Sequence, residues 1–489
     1  MAESTDGGRL AYLLPGCWMN SSATSASDRP CLTPPSEPRS LPQTLASRHV
    51  ALISLGGVIG AGLFVGSGVA IAGAGPAIVV SYLIAGLLLL LIMSMLGEMA
   101  LARPDVRAFT DFVRAGLGHG AGFVVGWTYW YEWTVVIAIE SIAGGTLLRE
   151  WIPLPAWVLA LMVIAVMWAI NVLSTRTFAE FEFWFASIKV AGIVAFIAVV
   201  GVFVARSMGH GPATGSLPGL RSGLLPHGAG AVIAGIATVF FSLTGAEVAT
   251  IAAAESKETT RSMARMASRL IARIIVFYVL SVLLIVVVVP WRDIVPGISP
   301  FGVTLQHLGF SWAVGATNLI VLTAVLSCLN SALYVSSRSL FALAAHRDAA
   351  QWLVRLNARQ TPARAVTIST LVGSGGVALA AVSPEHAFAF LVNTSGAIIL
   401  GVYLSVCLAY FQMRRRSAPR SNTPWRLRPY PGIVYATVAG VLLVLAVMAR
   451  SKEMATQLYA SLIPLLVSYG AYLLLLRTRR ASAPVQVEN

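Results

Sequence analysis

Twelve apolar runs constrain this chain more than anything else in it, because each is close to the ~20 residues that a helix needs to cross a bilayer at about 1.5 Å per residue. They span approximately 48–71, 76–101, 119–147, 155–174, 183–205, 230–254, 270–290, 312–345, 365–383, 386–412, 430–449 and 457–477, with short polar connections between them. Backbone N–H and C=O groups in lipid must be bonded internally. The pattern therefore predicts an all-α integral membrane protein of twelve transmembrane helices. The composition agrees: 57% of the 489 residues are hydrophobic and 11% charged, against roughly 45–50% and about 25% in soluble domains.

The 34 basic residues exceed the 20 acidic ones by 14, which in a soluble chain would suggest nucleic acid. Their distribution excludes that partner. One set of alternating connections, with both tails, holds 26 of them, including Lys257, Arg261, Arg265, Arg269 and Arg273 in a single connection; the opposite set holds six. Such asymmetry sets topology, and it puts both termini on the cytoplasmic face of a multi-pass cell membrane protein. Residues 1–46 are rich in Ser, Thr and Pro without a long apolar run, which predicts a disordered cytoplasmic tail in place of a secretory signal; a later start at Met19 stays open. Four scattered cysteines form no C-x-x-C pair, and no two histidines stand at i, i+4, so no metal or other cofactor is expected.

Two apolar runs carry unusual interruptions. Gly56 to Gly68 places six glycines in thirteen residues, weakening a regular helix. A packing face is one reading, because Gly56/Gly60 and Gly62/Gly66 are G-x-x-x-G pairs; a glycine density beyond one stripe favours an unwound stretch. A second candidate break, Ser242-Leu243-Thr244-Gly245-Ala246-Glu247, begins about 180 residues later, in the sixth run. Breaks in segments one and six suggest two five-helix repeats with a site between them. Half-helix N-termini there suit a carboxylate, and free carbonyls suit an ammonium group.

Charges inside apolar runs are costly and mark function or pairing. Lys189 lies in the fifth run; it is either a proton carrier or a side chain snorkelling to the nearby cytoplasmic headgroups. Glu140 and Glu247 are surrounded by apolar residues, where a carboxyl tends to be protonated or paired. Glu132 and Glu98 read equally as helix–helix hydrogen-bond groups, and so do Asn330, Ser331, Asn393, Thr394 and Ser395. The aromatics from Trp127 to Trp133 wall a site or simply pack.

The stretches Ser54 to Gly68, Gly75-Pro76-Ala77, Met95 to Ala100, Phe181 to Trp184 with Lys189, Gly245 to Ser256 and Ser327 to Tyr334 occur in the order found in bacterial amino acid permeases. The chain resembles that family, within the amino acid–polyamine–organocation superfamily, over about residues 45–480. Gly245 to Ser256, Ser327 to Tyr334 and Val69 to Ala72 look most like gamma-aminobutyrate permeases. The resemblance implies a LeuT-like five-plus-five inverted repeat with broken helices 1 and 6: a cytoplasmic tail (1–46), a ten-helix transport core (47–415), helices 11 and 12 (416–480) and a C-terminal tail (481–489). It implies proton-coupled import of an amino acid. The substrate carboxylate is assigned to the backbone of Ile59, Gly60, Ala61 and Gly62, and the amine to the region of Ser242, Leu243, Thr244 and Gly245. Lys189, matching a coupling lysine of relatives, Glu247 and Glu140 are the proton-coupling candidates. Thr259 departs from the family, where many relatives have proline, and only a loop is affected.

The expected partners are thus a small amino acid, protons and the bilayer. Gamma-aminobutyrate leads; a permease or exchanger for alanine, serine, glycine, proline or asparagine, and a membrane amino acid sensor, are the alternatives. An enzyme is not expected. An ATP-driven pump would need a glycine-rich loop ending in Gly-Lys, and none of Lys189, Lys257 and Lys452 follows a glycine.

Overall fold

A computed structural model describes residues 58–103, 106, 109–173, 175–209, 219, 223–248, 275–416, 427, 429–452 and 454–481. The expected N-terminal tail, Gly56 and Gly57 of the glycine run, and the chain beyond 481 lie outside the described residues.

The described chain is helical, with no strand among the described residues. The first run contains α1 (Ala61–Phe64) and α2 (Gly66–Ala74), interrupted at Val65. Then follow α3 (Ile78–Ala102), α4 (Phe109–Leu117), α5 (His119–Leu148), α6 (Ala156–Leu173), α7 (Thr175–Gly209) and α8 (Gly228–Leu243). The remainder comprises α9 (Ile275–Val288), α10 (Pro300–His307), α11 (Trp312–Ala345), α12 (Ala363–Val382), α13 (Pro384–Arg416), α14 (Gly432–Arg450) and α15 (Ala455–Ala481). Eight of these, α3, α6, α7 and α11–α15, are long and apolar enough to cross a membrane. The 30-residue α5 is less uniformly apolar because it carries Glu132 and Glu140, and α1–α2, α8 and α9 are shorter apolar helices.

Boundaries follow local chemistry. Gly75 ends α2 in the left-handed region (φ 72°), its N–H donating to the Ile71 carbonyl at 2.8 Å, and Pro76, which cannot donate, opens the next segment. Helix α4, in a connection where the sequence reading gave no helix, buries Phe109, Phe112 and Val113 and presents Asp111 and Arg114 on its other face. At nine residues it is too short to cross a bilayer. An ion pair and a histidine contact fasten it: Arg114 Nη2 meets Asp348 Oδ2 at 2.5 Å and His346 Nε2 meets Asp111 Oδ1 at 2.9 Å, while His119 Nε2 of α5 reaches Asp348 Oδ1 at 2.9 Å.

Helix α5 is the central post, packed against α4, α6, α11, α12, α13 and α15. Every residue from Glu132 to Gly145 is buried. Large apolar side chains such as Leu83, Leu87, Met162, Val166, Leu466 and Val467 are exposed on the outer helices, the inside-out polarity a lipid solvent permits. Helices α8 and α13 approach so closely that a Cβ on Gly396 would lie 2.0 Å from the Ala237 carbonyl oxygen. Beside that contact Thr238 Oγ1 donates to Asn393 Oδ1 at 2.7 Å.

That contact makes a stability prediction. Gly396→Val forces two backbones apart and should cost at least about 3 kcal/mol, the upper end of core overpacking. Gly401→Ala, on the same helix with nothing within 4 Å, should stay within about 0.5 kcal/mol. Thermal unfolding of the detergent-solubilised variants measures both; equal melting temperatures would refute the backbone contact.

Candidate functional site

The described part of the first break, Val58 to Gly60, is fully buried. Val58, Ile59 and Gly60 are non-helical before α1 begins, leaving backbone groups without intrahelical partners. Side chains from three other helices take them. Tyr278 OH (α9) donates to the Val58 carbonyl at 2.9 Å, and Lys189 Nζ (α7) to the Ile59 carbonyl at 2.8 Å and to Ser327 Oγ (α11) at 2.7 Å. The Ala61 N–H faces both oxygens of Glu140 (α5), at 3.1 and 3.0 Å. Lys189 is 0% exposed, so it is turned inward to the break and does not snorkel. It lies near enough to Glu140 for their charges to interact, and the Cys328 thiol also hydrogen-bonds Glu140. Gly60 is required sterically: a Cβ there would fall 2.4 Å from Cys328 Cβ and 2.6 Å from Glu140 Oε1.

Within the described part of the glycine run, Val58 to Gly60 and Val65 are the non-helical residues. Gly62, Gly66 and Gly68 are helical and serve close packing; a Cβ on Gly62 would lie 2.6 Å from Ser242 Cα.

The second break follows α8. Thr244 to Glu247 form turns, with Gly245 at φ 107°, a conformation that favours glycine. The two breaks touch: Ser242 Oγ donates to the Gly62 carbonyl at 2.7 Å. Thr244 N–H and Oγ1 bond the Phe241 and Phe240 carbonyls at 3.0 Å each. Among the described residues nothing donates to the Ser242 or Leu243 carbonyl. The site therefore offers a backbone N–H matched to a carboxylate and, across the junction, carbonyls matched to a cation.

Glu247 is the centre of a second buried cluster. It accepts from Tyr129 OH (α5) at 3.0 Å, Tyr403 OH (α13) at 2.7 Å and the Gly245 N–H at 3.2 Å. Ser395 Oγ (α13) donates to Glu132 Oε1, and Phe109 and Phe240 close the ring of aromatics through contacts with Tyr129 and Tyr403.

The structure brings Ile59, Gly60, Ala61, Gly62, Lys189, Glu140 and Ser242 together, with Leu243 to Glu247 running on from Ser242. Asn330 and Asn393 instead bond neighbouring helices, Asn330 Oδ1 accepting from Asn171 Nδ2 at 2.8 Å. Glu98 accepts from Tyr410 OH at 2.5 Å and the Leu427 N–H at 2.6 Å, away from the breaks. Sequence reasoning reached Tyr129 only as part of the aromatic stretch Trp127 to Trp133 and missed Tyr278, Ser327, Cys328 and Tyr403 as site residues. Only Ser327 carried a signal, a small hydroxyl in a long apolar run. Among the described residues no three His, Cys, Asp or Glu side chains gather as metal ligands would.

Ser242→Ala leaves the Gly62 carbonyl buried without its donor, which should cost about 1–3 kcal/mol of stability. Thermal unfolding in detergent reads this out, and a loss no larger than that of an exposed Ser187→Ala control would refute the junction bond.

The family described as "Amino acid permease" matches residues 49–484. The chain is 40% identical over 446 residues to a probable GABA permease of Pseudomonas aeruginosa, covering 90% of this chain and 94% of that one. It is 39% identical to a gamma-aminobutyric acid permease of Bacillus subtilis (86% and 90% covered) and 34% identical to the aromatic amino acid transport protein AroP of Escherichia coli (90% and 97%). Among solved structures, a manganese transporter of Eremococcus coleocola superposes with a TM-score of 0.55 at 13% identity over 91% of this chain and 99% of that one, a likeness of fold alone. The chain belongs to the amino acid permease family, multi-pass membrane proteins that carry amino acids.

Proposed function

We propose that this permease imports gamma-aminobutyrate across the cell membrane by proton symport, through twelve crossings with both termini in the cytoplasm. The observation that carries the reading is the pairing of Lys189 and Glu140 on the carbonyl and N–H sides of one helix break. The 26-to-six distribution of basic residues supports the orientation, and three relatives named as GABA permeases at 38–40% identity support the substrate.

The substrate carboxylate takes the Ala61 N–H in place of Glu140, and the ammonium group lies against the Ser242 and Leu243 carbonyls. The flexible three-carbon spacer of gamma-aminobutyrate lets its two ends engage two different helices. Displaced from its N–H partner in a dry interior, the Glu140 carboxylate takes up a proton, which compensates its lost hydrogen bonds. Return of that proton to water restores the Glu140–Ala61 bond and expels the substrate. Lys189 holds the Ile59 carbonyl and sets the local charge throughout.

In proteoliposomes, one-to-one symport should accumulate labelled gamma-aminobutyrate about tenfold under an inward gradient of one pH unit. Lys189→Ala should bring that ratio to one, and full retention at normal expression would refute the coupling role. Gly60→Val should weaken substrate binding by about tenfold or more; Gly73→Ala, with nothing within 4 Å of its added Cβ, should not. Competition by a panel of amino acids fixes the substrate, and uptake that requires internal substrate would make the protein an exchanger.

A further inference from the structure

Away from the helix breaks, a half-open cavity of about 620 Å³ lies at the C-terminal end of α5, within the size range of small-ligand sites. Helix packing makes its floor and one wall. Helices α5 and α12 touch at Gly373 and Gly376, where an added Cβ would lie 2.6 Å from Ile137 Cγ2 and 2.6 Å from Ala138 Cβ. Beyond that contact a wedge opens, lined by Ile142, Thr146 and Arg149 on the α5 side and by Ala380 and Ala381 of α12. The start of α6 closes one side with Trp157, its backbone pressed so firmly on α5 that a Cβ on Gly145 would lie 2.3 Å from the Ala156 carbonyl oxygen.

The wedge is apolar within and cationic at its mouth. Thr146 and Arg149 are the polar side chains among the lining residues, and the Thr146 hydroxyl donates to the Ile142 carbonyl of its own helix at 2.9 Å. Arg149 is exposed, and its guanidinium enters no hydrogen bond or ion pair among the described residues. The neighbouring acid does not neutralise it: both Glu150 oxygens accept from Asn318 Nδ2 of α11, at 2.9 and 2.7 Å. From Ala138 to Arg149 the helix rises about 16 Å, so the wedge runs from the cation into hydrocarbon depth. Trp151 and Trp157, 49% and 42% exposed beside the mouth, mark the headgroup level where membrane tryptophans collect.

We infer that this wedge is a binding site for an anionic phospholipid of the surrounding bilayer, its phosphate on Arg149 and the first part of one acyl chain between α5, α6 and α12. The two halves of the wedge match the two halves of that ligand. A soluble anion gains nothing from the apolar walls, and the lining holds no carboxylate to receive the amine of a zwitterionic lipid. Arg149 belongs to the connections that hold six basic residues against 26, which assigns the lipid to the non-cytoplasmic leaflet. The inference rests on the membrane-spanning fold and the proposed orientation, and it is independent of the substrate and of proton coupling.

The test titrates the full chain in detergent with phosphatidylglycerol or with phosphatidylcholine of equal chain length, and counts bound lipid by native mass spectrometry. Wild type should bind the anionic lipid about fivefold more tightly, the preference one arginine gives at an anionic surface. Arg149→Gln should bring that ratio towards one. Arg292→Gln, an exposed arginine of the same set of connections, should leave it unchanged. Ala381→Trp, which adds bulk at an exposed position of the wedge, should weaken the binding of both lipids. A wild-type ratio of one, a ratio that survives Arg149→Gln, or an equal fall in Arg292→Gln would overturn the assignment. Unchanged lipid binding in Ala381→Trp would overturn the place of the acyl chain, and release of the lipid by inorganic phosphate alone would make the site one for soluble anions.

Discussion

An interrupted helix inside a membrane exposes backbone groups that lipid cannot solvate, each worth several kcal/mol if left unpaired. Everything at the centre of this permease follows from that debt. Val58, Ile59 and Ala61 are satisfied by Tyr278, Lys189 and Glu140, drawn from three different helices. A charged side chain suits the task because its hydrogen bonds are stronger than neutral ones. Lysine and glutamate, which solve a backbone problem here, stand beside the N–H and the carbonyls that the proposed function assigns to a zwitterion.

The same logic explains the glycines. Gly60 has no Cβ because Cys328 and Glu140 fill the space, and Gly62 has none because the backbone of α8 does. The first break and the second are therefore parts of one object, joined by the Ser242 hydroxyl on the Gly62 carbonyl. A change at either break reaches the other through that bond and the close packing of α1 and α2 on α8.

Much of this was legible in the sequence. Among the described residues the apolar runs located most helices to within a few residues, except where Thr175 extends α7 and where α8 ends at Leu243 inside the sixth run. Intramembrane charge singled out Lys189, Glu140 and Glu247. What stayed hidden has a common cause. Tyr129, Tyr278 and Tyr403 look like ordinary membrane aromatics, since hydropathy does not register which hydroxyl points at which carbonyl. Helix α4 was overlooked because its nine residues fall below the length on which a membrane pattern depends, although its burial of Phe109, Phe112 and Val113 is that of an amphipathic helix.

Helix α5 carries Glu132 and Glu140 on one uninterrupted hydrogen-bonded rod, and it is buried along its middle. Such a rod keeps a constant interval between the two carboxyls, about two turns. Glu140 meets the broken first segment at Ala61, whereas Glu132 meets Ser395 on the continuous α13. The rod is thus a fixed scale, with the broken first segment held at one mark and a continuous helix at the other.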